Sequence, residues 1–425
     1  MSLRKKNTPP FTPNLSVEME LAMEQWKAAF FGDPSWNAPG MRLSGLPAAL
    51  TGYVATLVTN EMSLSFGDSP RGKAMERMFR PLTGMLHRAV QLAAVYGYVV
   101  LRPMVWEGQV IFLLAEPGRF WPTEFAPDGS IIGGYFLDWV GTYLKTEEFQ
   151  LKNRTLTIRN RAFRVKNGSF GEEVPLDSCP ELKALSPETV LEGVDQPLLG
   201  VIRMPFANSI DPGNPMPESL YAGAMASMEE FDRVYSELLY ELHSGKRKNI
   251  VERGAIVPES RQRRIRGAKY FDPTTDTYIL DPAEEHSPFQ DYSPSLRTGD
   301  YLTGMKAVLH IIENQCHLSP GSLALDDRTG AMTATEVISQ DRTTYNTCAA
   351  IQNRGVAPGL RQLARAAEIL GDLYGLLPSG ETEMQITWGD SIFEDTQKEF
   401  ERRMELLREG VVGKEEVKAW YFGVQ

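Results

Sequence analysis

Two apolar stripes of identical spacing constrain this chain more than any other feature. Met228, Phe231, Tyr235, Leu238 and Leu242 recur at steps of three and four residues, and Leu302, Met305, Leu309, Ile312 and Cys316 repeat the pattern. Such steps put every member on one narrow seam of an α-helix, which suits near-parallel neighbouring helices. A first helix from Glu218 to His243, ~26 residues, would span about 39 Å. Two amphipathic helices in the core of one compact domain carry similar stripes, so both arrangements stay open on periodicity alone.

Between the stripes, Gly245 to Pro294 alternate turn signals with short β-prone runs, such as Ala255-Ile256-Val257 and Thr277-Tyr278-Ile279-Leu280. Asp272-Pro273 and Asp281-Pro282 punctuate them, and a small β-containing subdomain is expected. This insert is basic. Lys246, Arg247, Lys248, Arg253, Arg261, Arg263, Arg264, Arg266 and Lys269 face only two acids, Glu252 and Glu259. The local balance is +7 in a chain of net charge -11, which leaves about -18 for the rest. An acidic chain is a poor generic binder of phosphate backbones. The candidate docking surface for an acidic partner or nucleic acid is therefore Lys246, Arg247, Lys248, Arg261, Arg263, Arg264, Arg266 and Lys269. A solvated face is the plain alternative.

Pro320-Gly321 should end the second helix, and the polar stretch through Gly330 reads as a loop. A long helix then opens with Met332-Thr333-Ala334-Thr335-Glu336-Val337, where Thr333 or Thr335 can cap and Glu336 sits in the first turn. It runs to about Tyr374, with a kink or break expected near Gly355 and Pro358-Gly359. Upstream, helices are expected over 16–31, 47–59 and 69–95. Ser69 would be the last one's N-cap, and Met78, Leu82, Met85, Leu86 and Val90 its apolar stripe. Residues 96–175 read as strands, with turns at Glu107-Gly108, Asp128-Gly129 and Asn167-Gly168. Residues 176–219 read as a loop-rich connection. A strand over 384–388 and charged helices over 395–409 and 414–422 close the chain.

Reaction chemistry is missing from this pattern. There is no phosphate-binding G-x-x-x-x-G-K-[ST] run and no G-x-S-x-G elbow. Cys179, Cys316 and Cys348 are far apart, odd in number, and read as buried reduced thiols. The five histidines form no ligand pair; His310 and His317 lie seven apart on one expected helix, as packing or interface residues. Asp326-Asp327 lacks the surrounding ligand set that a divalent ion needs. No apolar run reaches the ~18–20 residues that cross a bilayer, and no apolar segment follows the basic start, so a cytosolic, non-secreted protein is expected.

Four stretches, in order, resemble the portal proteins of tailed bacteriophages, in the branch found in phages and prophages of Gram-positive bacteria. They are Gly97-Tyr98 through Phe120-Trp121-Pro122 to the Asp128-Gly129 turn; the helix–insert–helix layout of 216–318; Leu318-Ser319-Pro320-Gly321 through Thr333-Ala334-Thr335-Glu336-Val337; and Gln385-Ile386-Thr387-Trp388-Gly389-Asp390-Ser391-Ile392-Phe393-Glu394-Asp395. The resemblance implies an α+β portal fold. Residues 1–215 would be the wing, 216–245 and 296–318 the stem helices, and 246–295 a small clip. Residues 319–333 would be the tunnel loop, 334–378 the long kinked helix, and 379–425 the C-terminal wing, with a crown small or absent. It implies stem packing through the two stripes and a DNA-facing loop at Leu325, Asp326, Asp327, Arg328 and Thr329. It further implies a ring, typically twelve-fold, at a capsid vertex of the virion, assembled in the host cytoplasm. Double-stranded DNA would be in transit through it. Its partners would be the terminase large subunit, head-completion or adaptor proteins, and capsid and scaffold proteins. The subunit would be no enzyme and need no cofactor, since ATP hydrolysis in this family belongs to the terminase. A different head–tail connector, or a hydrolase with a dispersed site, is the competing expectation.

Overall fold

Capping chemistry sets the first helices. In this computed structural model, which describes residues 13–166, 169–246, 248–252, 277–280, 289–292, 295–323, 341–389, 403–408, 413 and 417, Ser16 accepts from the Met19 amide at 3.2 Å and opens α1 (Val17–Phe30). Pro47 sits in the first turn of α2 (Leu46–Thr59). After the short β1 (Ser63–Ser65), Ser69 accepts from the Gly72 amide at 2.9 Å and Pro70 begins α3 (Pro70–Tyr96). The buried stripe of α3 is Met75, Phe79, Leu82, Leu86, Ala89 and Val90. Met78 and Met85, expected in that stripe, are only half-buried, because they turn toward the margin where the helix meets a strand.

Strands follow as a run of antiparallel pairs: β2 (Tyr98–Trp106), β3 (Gln109–Ala115), β4 (Phe120–Phe125), β5 (Ile131–Val140), β6 (Tyr143–Lys152), β7 (Thr155–Lys166), β8 (Ser169–Val174), β9 (Glu188–Glu192) and β10 (Gly200–Arg203). Then come α4 (Met225–Ser244), β11 (Lys248–Glu252), β12 (Thr277–Leu280), β13 (Phe289–Tyr292), α5 (Thr298–Gln315), α6 (Arg342–Ala350), a π-helical turn (Ile351–Val356), α7 (Ala357–Leu373) and β14 (Gln385–Thr387). The class is α+β.

The Glu107-Gly108 hairpin forms as expected, with both residues at positive φ (49° and 74°), the requirement of the tight turn that matches strand twist. β6 lies within the strand-rich region expected, but the Asn153-Arg154 turn (φ 50° and 60°) was not among the expected turns, because it lacks a glycine. The order β4-β5-β6-β7-β8, with β9 also on β7, makes one sheet. Asn167 and Gly168 lie outside the described residues. The loop-rich connection expected over 176–219 contains β9 and β10, and β10 pairs with β2 in a second sheet, β10-β2-β3. Both were missed because each is short and bounded by prolines. β1 pairs with β14.

The chain divides into two compact units, one of residues 36–44 and 227–311 and the other of the remainder. In the larger unit, the helix expected from Glu218 begins only at Met225. The backbone before it is drawn to the last turn of α3: the Leu220 amide and the Ser219 hydroxyl both donate to the Ala94 carbonyl at 2.9 Å. At 20 residues α4 is about 30 Å long, not 39.

The core of that unit is the crossing of α7 over β10. A Cβ on Gly355 would collide with the Arg203 carbonyl, one on Gly359 with the Val201 carbonyl, and one on Gly200 with the Gly359 carbonyl. Three glycines thus let helix backbone rest directly on strand backbone. The expected kink near 355–359 is realised as the π turn, which carries Gly355 past the strand while the chain stays helical. We expect Gly359→Ala to lower unfolding free energy by about 1–3 kcal/mol in chemical denaturation, since the added methyl has no room against backbone. Gly84→Ala, in an open stretch of α3 with nothing near its Cβ, should instead stabilise by about 0.5–1 kcal/mol. A neutral Gly359→Ala would refute the backbone contact.

Candidate functional site

Each of the two stripes carries an acid one residue after an apolar member: Asp232 follows Phe231 and Glu313 follows Ile312. Both acids are buried, at 4% and 0% exposure. A carboxylate removed from water needs donors, and each finds them in a separate segment of backbone.

Glu313 organises the start of the loop after α5. One carboxylate oxygen accepts from the Gly321 amide at 2.8 Å and the other from the Leu323 amide at 2.7 Å. Gly321 takes φ 84°, which brings both amides round to one acid. Ser319 and Thr344 bond reciprocally: the Ser319 amide donates to Thr344 Oγ1 at 2.8 Å, and the Thr344 amide to Ser319 Oγ at 3.1 Å. Ser322 Oγ lies 2.9 Å from Thr344 Oγ1, and Thr347 Oγ1 donates to the His317 carbonyl at 2.7 Å. Residues 319–323 are thereby fixed between the end of α5 and the face of α6. His317 is not on the helix with His310, as expected from spacing. It stands past the helix end at φ 57°, with its ring stacked on Phe206 at 4.8 Å.

In the smaller unit, Asp232 accepts from Trp36 Nε1 (3.0 Å), the Ser44 amide (2.8 Å) and Ser44 Oγ (2.6 Å), and so binds segment 36–44 to α4. Ser236, one turn on, accepts from the Arg42 amide at 2.7 Å. The ends of the insert are also joined. Arg297 donates to both oxygens of Glu241, at 2.8 and 3.3 Å, and a Cβ on Gly245 would strike the Leu296 side chain. The Arg297 guanidinium holds the Glu241 carboxyl below the usual carboxylate range. Beyond this junction the insert forms a three-stranded sheet, with β11 central, parallel to β12 and antiparallel to β13.

Of the stripe residues, Met228, Phe231, Leu238, Met305, Leu309 and Ile312 are buried and Tyr235 is half-buried. Leu242 and Leu302, expected to pack, are each 41% exposed. They are the stripe members nearest the insert, so burial fades toward that end of both helices. Among the basic insert residues, Lys246 is exposed just past the end of α4 and Lys248 begins β11. Arg247, Arg261, Arg263, Arg264, Arg266 and Lys269 lie outside the described residues. So do Leu325, Asp326, Asp327, Arg328 and Thr329, the helix start at 333–337 and most of the two C-terminal helices. Spacing alone overlooked Glu313, Asp232, Ser319 and Thr344; an acid inside an apolar stripe was the available signal.

Cys179, Cys316 and Cys348 are buried and unbridged. Burial, helped for Cys316 by Glu313, pushes the Cys316 and Cys348 thiols up to about 12, which leaves them protonated and unreactive at neutral pH. Among the described residues no group of His, Cys, Asp and Glu is arranged to hold a metal ion, and no helix is long and apolar enough to cross a membrane. Comparison with known proteins finds no family model that matches the chain and no curated protein that matches it.

The loop anchor makes a direct prediction. Glu313→Gln retains one acceptor oxygen and turns an amide donor toward an N–H. Exchange at the Gly321 and Leu323 amides should accelerate at least about tenfold, with a loss of about 1–3 kcal/mol in stability. Glu237→Gln, exposed on α4, should change neither. Unaltered exchange in Glu313→Gln would remove the anchor from the account.

Proposed function

We propose that this chain is the subunit of a phage portal, a ring that conducts double-stranded DNA through a capsid vertex during packaging and ejection. The observation that carries the reading is an order of parts. Two striped helices flank a small β-sheet insert. A loop follows whose first residues are clamped by Glu313 and Thr344, and a long helix interrupted at 351–356 comes next. A loop that meets moving DNA needs a rigid root, and the buried Glu313 provides one. An insert with joined ends and a local charge of +7 suits docking to other proteins.

On this reading α4 and α5 belong to the stem, the insert is the clip, and residues 319–333 form the tunnel loop. The clip docks the terminase large subunit during packaging and head-completion proteins afterwards. Capsid and scaffold proteins surround the wing. The subunit conducts and does no chemistry of its own. Outside the insert the chain is strongly acidic, which repels phosphate and lets a duplex slide.

Reversing charge in the insert tests the docking role. Arg263→Glu with Arg264→Glu should weaken ring formation or terminase docking at least about tenfold. Normal assembly together with normal docking would overturn the assignment. DNA contact by the assembled protein should be weak, about micromolar or weaker, and salt-sensitive, each neutralised phosphate adding about -0.9 to the slope of log K against log salt. Tight binding that survives high salt would contradict a conduit.

A further inference from the structure

The exposed face of α3 carries a second basic feature, remote in sequence from the insert. Lys73, Arg77, Arg80, His87 and Arg88 are all exposed; steps of four, three and seven residues hold the first four to one side of the helix, and Arg88 lies next to His87. Glu76 is the only acid in the whole helix. Lys73 approaches Asp68 at 3.8 Å, both open to solvent, and His87 Nε2 lies 3.2 Å from Thr56 Oγ1. Among the described residues Arg77, Arg80 and Arg88 make no ion pair with a carboxylate. Glu76 is exposed on the same side, yet in a chain of net charge -11 three arginines outside any such pair are a local exception.

Beside the stripe lies a cleft of about 470 Å³. Turning round α3 from the basic side, the lining runs from Arg77 through Pro81 to Met78, Met85 and the buried Leu82, and β3 closes it with Val110, Ile111 and Phe112. Pro81 has no N–H, so the carbonyl of Arg77, itself a cleft residue, lacks its i+4 helical donor. Trp106, paired in register with the cleft residue Gln109, is 58% exposed at the same rim. A basic rim and an apolar floor thus occur together along about two turns of α3, with an exposed aromatic on the neighbouring strand.

We propose that this cleft docks an acidic amphipathic helix of a partner protein, its apolar anchors against Met78, Met85 and Phe112 and its carboxylates along Arg77 and Arg80. Charge complementarity selects an acidic partner. The apolar floor selects a protein over nucleic acid, since phosphates gain nothing from methionine and phenylalanine. The site lies wholly in the larger unit, so it stands whether or not the chain forms a ring.

The test uses the full chain and a fluorescent peptide of ~15 residues, with leucines at i, i+3, i+4 and i+7 and glutamates on the opposite face. Anisotropy titration should show saturable binding. A peptide of the same composition in scrambled order should bind at least about tenfold more weakly. Arg77→Glu with Arg80→Glu, both surface positions, should weaken binding at least about tenfold, and Met85→Glu should do so without touching the stripe. Circular dichroism on each variant identifies any loss due to unfolding, and Arg77→Gln with Arg80→Gln then supplies the same comparison. Equal binding of ordered and scrambled peptides would overturn the proposal, as would binding unchanged by the arginine variants. Tight binding of a short DNA duplex with none of the peptide would overturn it in favour of a phosphate surface.

Discussion

Helix backbone pressed on strand backbone is the contact on which the larger unit depends. Gly355 and Gly359 meet the carbonyls of Arg203 and Val201, and Gly200 meets the carbonyl of Gly359. No side chain separates the two elements, so the long helix is held at one height and angle on the β10-β2-β3 sheet. The π turn at 351–356 follows from that constraint, because it shifts the helix register where it meets the strand. Once α7 is seated, α6 before it is positioned, and with α6 the threonines that receive the start of the loop.

Two buried acids extend this order to segments that have little core of their own. Asp232 and Glu313 sit at equivalent places in their stripes, and each trades its hydration for backbone amides of a distant or following segment. Such sites are all or nothing: with donors a buried carboxylate fixes a conformation, and without them it is costly. The result is a fixed position for residues 319–323. A channel loop needs such a root, which gives the proposed function a physical content beyond the order of motifs.

Much of the architecture was legible in the sequence where local chemistry dominates. Ser69 with Pro70 marked the start of α3 to the residue, and Glu107-Gly108 marked its hairpin, because caps and positive-φ turns are decided by neighbours in the chain. Tertiary competition hid the rest. Residues 218–224 were expected to be helical, but the Leu220 amide and the Ser219 hydroxyl are drawn to the Ala94 carbonyl at the end of α3. Met78 and Met85 fit a stripe yet edge the cleft between α3 and β3. Asn153-Arg154 makes a glycine turn without glycine, supported by the long β6–β7 pairing around it. Of the candidate site, the stripes were visible and the anchor was not, since Ser319 and Thr344 meet only through the fold. The α3 stripe escaped notice because five basic residues dispersed over a helix do not form a run.

On the proposed function, identical copies would close around an axis wide enough for a duplex. Electron microscopy of the purified protein at moderate salt, viewed down the particle axis, tests it most directly. Closed rings with a central opening that admits double-stranded DNA are expected, with the helix–insert–helix element of each copy arranged about it. Particles that remain compact monomers under every condition, or rings whose opening is too narrow for a duplex, would contradict it.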